Sequence, residues 1–371
     1  MKRLILILLA SLATLSAAAD SPVNHEGDTL DLRSRYDNNA EAEPVMPSDS
    51  ECISSTDNTL DIGGIIFGHI GDAYEWHLFD TPKGPVELPL PVIVRSRTTG
   101  WHCFSSHKLS HGAVHEGFVI GDEGKVVELT PAGPVRPLDI SITKNVLSLI
   151  LSSILLALLV LLSARWYRRH DVLHESPSGI AALMEPLIMM IHTMAKENIG
   201  EEDYRKYSPY LCTAFLFILL NNFIGIIPFF PGGANLTGNI AITMVLAIAT
   251  FLTVNITGTK HYYREIFWPE VPGFLKPIMP IIEVFSALVK PISLTIRLFA
   301  NMLAGHIMIL CMVCIIFIMA RFSPVLFGSM TAVSVLFGLF LDLLECLVAF
   351  IQAYVFTMLS SIYIGLARQK H

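Results

Sequence analysis

Charged residues are scarce in this sequence: Asp, Glu, Lys and Arg make up 15% of its 371 residues, against 53% hydrophobic. Soluble domains carry about 25% charge, so this balance excludes an ordinary water-soluble globule and fits a chain that crosses a membrane several times. Basic clusters with interleaved aromatics are lacking, which excludes nucleic acid as a partner. No phosphate-cradling P-loop occurs, so nucleotide chemistry has no home in this chain, and no cofactor-binding pattern takes its place. Cysteine is sparse too. Of the six, Cys311 and Cys314 form a CxxC inside an apolar run with no second pair, which argues against zinc or redox use. Cys52 and Cys103 are the only cysteines before residue 140; they could pair in an oxidising compartment or stand as two free thiols. His107, His111 and His115 share a four-residue spacing, but Gly112 and loop-like surroundings weaken the helix that would present them to a metal.

The net charge of −7 reflects acids crowded into the first third. Residues 1–19 read as a secretory signal: Lys2 and Arg3, an apolar core, then Ala17-Ala18-Ala19. The competing reading is a retained first span. Residues 20–140 are polar, disordered in composition to about residue 55. Short alternating segments such as VIVRS and KVVELT follow between Gly and Pro turns, which predicts a small extracytoplasmic domain with β content.

Residues 141–371 are the membrane domain. A first span covers about 145–164 and ends in Arg165, Arg168 and Arg169, which the positive-inside rule places in the cytoplasm. Residues 178–199 are amphipathic and read as a surface or re-entrant helix. Spans over 210–227 and 239–258 follow. Two apolar stretches, 277–320 and 324–366, each exceed the roughly 20 residues of one crossing, which predicts long tilted or kinked helices. The basic end, Arg368-Gln369-Lys370, belongs in the cytoplasm. The expected fold is an all-α integral membrane protein with about five crossings and its N-terminus outside.

Arg297 lies inside the first of those long stretches. A guanidinium at mid-bilayer costs roughly 2.5–3.5 kcal/mol and cannot shed its proton, so it needs an anion or a wet cavity. At about 100° per residue, Glu283 falls at roughly +40° from Arg297, Ser286 at −20°, Lys290 at +20°, Ser293 at −40° and Asn301 at +40°. One polar stripe therefore runs along an apolar helix, which Pro291 is expected to bend. The last stretch has its own set: Glu345 and Gln352 share a face, with Ser334 and Asp342 within about a quarter turn. Glu345 is the natural counter-charge for a cation on the preceding helix. His306, about 180° from Arg297, is the other candidate partner and faces a different neighbour or a separate water path.

The segment Ser293–His306, SLTIRLFANMLAGH, closely resembles the signature of subunit a of F-type ATP synthases. The likeness extends to Glu283, Lys290, the run Ala349–Phe356, Asn222–Pro228 and Gly238–Thr243. It covers about residues 140–368, and nothing in it bears on the outer domain. The resemblance implies a non-catalytic, proton-translocating stator subunit. Its partners would be a c-subunit ring, a b-type peripheral-stalk subunit, other ATP synthase subunits and the lipid of a bacterial-type inner membrane. In that family Arg297 would face the ring carboxylates and block leakage between two half-channels. His306 and Glu345, with Asn301 and Gln352, would line the entry path, and Glu283 the other half. Asn222, Ser286, Lys290 and Ser293 would be channel-lining or structural polar residues. Some members carry the acid and the histidine in reverse order, so the two would act as one titrating pair. Gly225 stands where some members place an acid. The rival reading is a secondary cation transporter built on an intramembrane Arg–Glu pair; no duplicated Arg297 segment supports it. A third reading is an anchoring protein whose polar residues are only structural.

Overall fold

A computed structural model describes residues 71–369, except 82–83, 98, 122–123, 131–132, 172–173, 228–234, 269–275, 277 and 321–323. The signal-peptide reading and Cys52 lie outside the described residues; Cys103 is exposed and unpaired among them. The chain divides into two compact units, the first ending at Leu147 and the second resuming at Ser148.

The first unit is built from short antiparallel strands. β1 (Glu75–Thr81) and β2 (Gly84–Pro89) form a hairpin. β3 (Pro91–Ser96), β4 (Gly100–Ser105) and β8 (Leu138–Asp139) form a sheet in the order β4-β3-β8, and β5 (Phe118–Ile120), β6 (Val126–Thr130) and β7 (Gly133–Val135) form another. The segments expected from alternation become β3 and β6. In β3 the two-residue period buries Val92, Val94 and Ser96 and turns Pro91 and Arg95 outward. Val92 and Val94 join Tyr74, Phe104, Leu109, Phe118 and Val126 in one apolar cluster. Full burial of each valine is worth about 1.5–3 kcal/mol. His107 and His111 fall in a short 3-10 helix, Ser106–Gly112, not on an α-helix. No cluster of metal-ligating side chains occurs among the described residues.

The second unit is helical: α1 (Lys144–Arg169, entering from the first unit), α2 (Ile180–Ile199), α3 (Tyr204–Ile226), α4 (Ile240–Thr257), α5 (Lys260–Phe267), α6 (Met279–Ala320) and α7 (Pro324–Arg368). Five of these, α1, α3, α4, α6 and α7, are long and apolar enough to cross a membrane. Asn239 and Thr259 cap α4 and α5 by accepting from the amides of Ala241 and Tyr262, satisfying donors that a helix start leaves free. α2 buries Met184, Ile191, Met194 and Ala195, a three-to-four-residue stripe that explains its amphipathic reading. The helix of α6 runs unbroken through Pro291. At about 1.5 Å per residue α6 and α7 each exceed 60 Å, twice a hydrocarbon core of about 30 Å, so they cross steeply tilted or extend beyond it. α1 turns Ser148, Ser152 and Ser163 inward and exposes Ile154 and Leu161. That is the inverse of a soluble helix and suits a lipid solvent.

The core of this unit joins Leu211, Phe215 and Ile218 of α3 to Leu294, Leu298 and Met302 of α6 and to Ala353, Phe356 and Ile364 of α7. The end of α7 is pinned. Arg368 donates to Asp203 at 2.7 and 3.0 Å and to the Thr257 carbonyl at 3.4 Å, while the Thr259 amide donates to the Ala367 carbonyl at 3.0 Å. Gly365 lets α7 meet the end of α2: a Cβ there would sit 2.2 Å from the Asn198 carbonyl oxygen. Backbone cannot step aside as a side chain can. Gly365→Ala should therefore destabilise the protein by about 1–3 kcal/mol, the usual cost of overpacking, seen as a lower thermal midpoint in detergent. An unchanged midpoint would mean that the contact is looser than described.

Candidate functional site

Three helices meet where α3 ends. His306 of α6 lies with Nδ1 3.0 Å from Glu345 Oε1 of α7 and with Nε2 3.1 Å from the Gly225 carbonyl oxygen of α3. The Glu345 side chain is 5% exposed and that of His306 18%. A carboxylate so buried is tolerated only if paired and hydrogen-bonded.

The backbone decides the histidine's chemistry. A carbonyl oxygen can only accept, so Nε2 carries a hydrogen. Gly225 is the penultimate residue of α3, and a helix leaves its last four carbonyls without intrahelical donors. The same helix end carries partial negative charge, which favours a cation beside it. With Nε2 protonated, Nδ1 either donates to an ionised Glu345 or accepts from a protonated one. Either arrangement joins the two side chains through one hydrogen bond.

The surroundings are fitted to this contact. A Cβ at Gly305 would lie 2.9 Å from Glu345 Oε1, so a larger residue there would press on the end of the carboxyl side chain and shift it. Asn222, one turn before Gly225, is fully buried and donates from Nδ2 to the Ala349 carbonyl at 3.0 Å. Asn235 reaches the Met302 carbonyl at 3.4 Å and accepts from the Gly238 amide at 2.8 Å. Two acceptors, Glu345 Oε2 and Asn222 Oδ1, are buried without a donor among the described residues. Gln352 is buried on the same face of α7, and so is Ser334, whereas Asp342 is exposed.

Arg297 stands apart. It is exposed on α6, as are Ser293, Ala300, Asn301 and Ala304 around it. The expected Arg297–Glu345 ion pair does not form: Glu345 is taken by His306, because His306 and Arg297 project from opposite sides of one helix. The polar stripe divides along its length. Ser293, Arg297 and Asn301 are exposed, while Glu283, Ser286 and Lys290 are half-buried. The Lys290 ammonium lies 5.4 Å from the centre of the Tyr363 ring, and a cleft beside it is lined by Thr250, Asn255, Tyr262 and Tyr363. Burial, then Tyr263 and Glu283, raise the Tyr262 phenol above its ordinary range. Tyr210 and Ser360 flank the cleft through Thr250, at 2.8 and 3.4 Å. Sequence reasoning did not single out these tyrosines; for Tyr210 and Tyr363 a hydroxyl inside an apolar run was the available signal.

If His306 and Glu345 act as one unit, their removal is not additive. A cycle of His306→Ala, Glu345→Ala and the double variant, followed by thermal unfolding in detergent, should give a coupling of about 0.5–3 kcal/mol. Additive losses would show two independent side chains.

A family model described as ATP synthase A chain matches residues 147–365, and a second, a domain of unknown function (DUF8433), matches residues 65–144. An ATP synthase subunit a 2 of Chlorobium luteolum is 43% identical over 247 residues, covering 65% of this chain and 69% of that relative. An ATP synthase subunit a of Chlorobium phaeobacteroides (strain DSM 266) is 38% identical over 295 residues, 74% of this chain and 83% of its own. One from Myxococcus xanthus is 39% identical over 236 residues, 62% and 74% of the two chains. These likenesses, like the missing Arg–Glu pair, disfavour the transporter reading. The chain belongs to the ATP synthase A chain family, the subunit a of F-type ATP synthases, and its function is proton translocation in the membrane sector of that complex.

Proposed function

We propose that this subunit supplies two half-channels that communicate only through a rotating ring of c subunits, and that Arg297 is the fixed charge facing the ring. The observation that carries the reading is the exposure of Arg297, without an ion-pair partner among the described residues, on a helix able to cross a membrane. A cation there costs several kcal/mol unless an acid from outside the chain meets it. The exposed small residues Ser293, Ala300 and Ala304 allow a partner helix to approach closely. A passing ring carboxylate is held ionised by the guanidinium, which cannot relay a proton itself.

Protons reach the ring through the His306–Glu345 pair, with Asn222 and Gln352 beside it. The buried acceptors Glu345 Oε2 and Asn222 Oδ1 suit a path along which O–H donors pass. Asn301 serves on the ring face next to Arg297. The other half-channel runs by Glu283, Ser286 and Lys290 with Tyr262 and Tyr363. The subunit itself is non-catalytic: each charge falling through 100 mV yields about 2.3 kcal/mol, pooled by rotation and spent on nucleotide chemistry elsewhere in the complex. The exposed apolar face of α1 offers a b-type stalk subunit a surface. The protein resides in a bacterial-type inner membrane with residues 20–140 outside and the basic C-terminus in the cytoplasm, as the positive-inside rule requires.

Arg297→Lys should not rescue function, because lysine can lose its proton and lacks the planar fork. ATP-driven acidification of vesicles carrying the assembled variant complex should fall to the level of empty vesicles; full activity would overturn the assignment. Exchanging the pair, His306→Glu with Glu345→His, should retain more pumping than the worse single substitution. An exchange as damaging as that single change would mean that the two do not share a proton.

A further inference from the structure

The outward face of the β4-β3-β8 sheet carries an unusual set of side chains. Trp101 is 58% exposed, Leu138 48% and Ile140 56%. Arg95 pairs in register with Trp101 on one side and Leu138 on the other, its guanidinium 5.6 Å from the indole centre. One step along, the Ile140 amide donates to the Ile93 carbonyl at 2.9 Å, which sets a second apolar row beside the first. Arg97 is exposed at the end of β3. Asp139, in register with the buried Val94, turns inward and is held by Tyr74 and Ser141. The face is thus apolar and aromatic with cationic, not anionic, charge.

We infer that this face seats in the phospholipid headgroup layer of the bilayer that α1 enters, with Arg95 and Arg97 on lipid phosphates and Trp101, Leu138 and Ile140 at the apolar boundary. Its distance from the start of α1 is bounded by the chain. The first turn of α1 is hydrogen-bonded into the domain: the Lys144 amide donates to the Ala73 carbonyl at 2.8 Å and the Asn145 amide to Asp72 Oδ1 at 3.1 Å. Leu138 precedes Lys144 by six residues, a reach of at most about 20 Å fully extended. Tryptophan at an interface and arginine on phosphate are the side chains that such a layer recruits, and anionic lipid complements the charge. A protein partner covering the face is the competing occupant.

The test uses the full chain in vesicles containing phosphatidylglycerol. The chain has four tryptophans, so the emission of Trp101 is taken as the difference between the native chain and Trp101→Phe. Phospholipid brominated near the headgroup should quench that difference signal, and aqueous acrylamide should hardly touch it. Quenching by lipid should weaken at least twofold in Arg95→Glu/Arg97→Glu or in vesicles of neutral lipid. Strong acrylamide quenching without lipid quenching would overturn the inference. Shielding from both quenchers that appears only in the assembled ATP synthase would also overturn it, in favour of a protein partner. Neither result touches the role of Arg297.

Discussion

A buried carboxylate that must not be left alone organises the membrane unit. Glu345 is accommodated inside α7 because α6 brings His306 against it, and His306 is held because α3 stops there and offers the Gly225 carbonyl. Each requirement restricts a helix. α3 must end at this depth, α6 carries glycine at 305 where a Cβ would press on the carboxyl, and α7 must present Glu345 to α6 and Ala349 to α3. The Asn222–Ala349 hydrogen bond and the core of Phe215, Leu298 and Phe356 hold the three helices in that register.

The same helix that supplies the histidine supplies the arginine, and its period separates them. Nine residues bring the chain about half a turn round, so the buried His306–Glu345 contact and the exposed arginine sit on opposite faces of α6. This separation suits the chemistry proposed. A site that exchanges protons needs partners whose charge can vary, whereas a barrier to leakage needs a charge that cannot. Placing the two side by side would tie up Glu345 as a permanent counter-ion.

Much of this was legible in the residues. The five crossings followed from apolar length, the β segments from alternation, and the opposition of Arg297 and His306 from helical period. Angles alone could not reveal that the polar stripe of α6 passes from half-buried at Glu283 and Lys290 to exposed at Arg297, because burial depends on where neighbouring helices end. Of the two candidate partners for Glu345 the histidine meets it, because facing and not charge alone decides the contact. The roles of Gly225 and Gly305 were hidden for a different reason: one contributes a backbone carbonyl and the other an absence of volume, and neither leaves a side-chain signature. In α7 the Asp342 position shows the limit of a quarter-turn tolerance, since it is exposed while Ser334 and Glu345 are buried.

The central claim is that the His306–Glu345 pair conducts protons while Arg297 prevents their passage from one half-channel to the other. The most direct measurement compares Arg297→Ala with Glu345→Ala in vesicles bearing the assembled complex, recording both ATP-driven uptake and passive proton flux under an imposed gradient. The account predicts that Arg297→Ala abolishes driven uptake yet conducts passively, and that Glu345→Ala loses both. Coupled pumping retained by Arg297→Ala, with normal assembly, would contradict it and reduce the arginine to a structural charge.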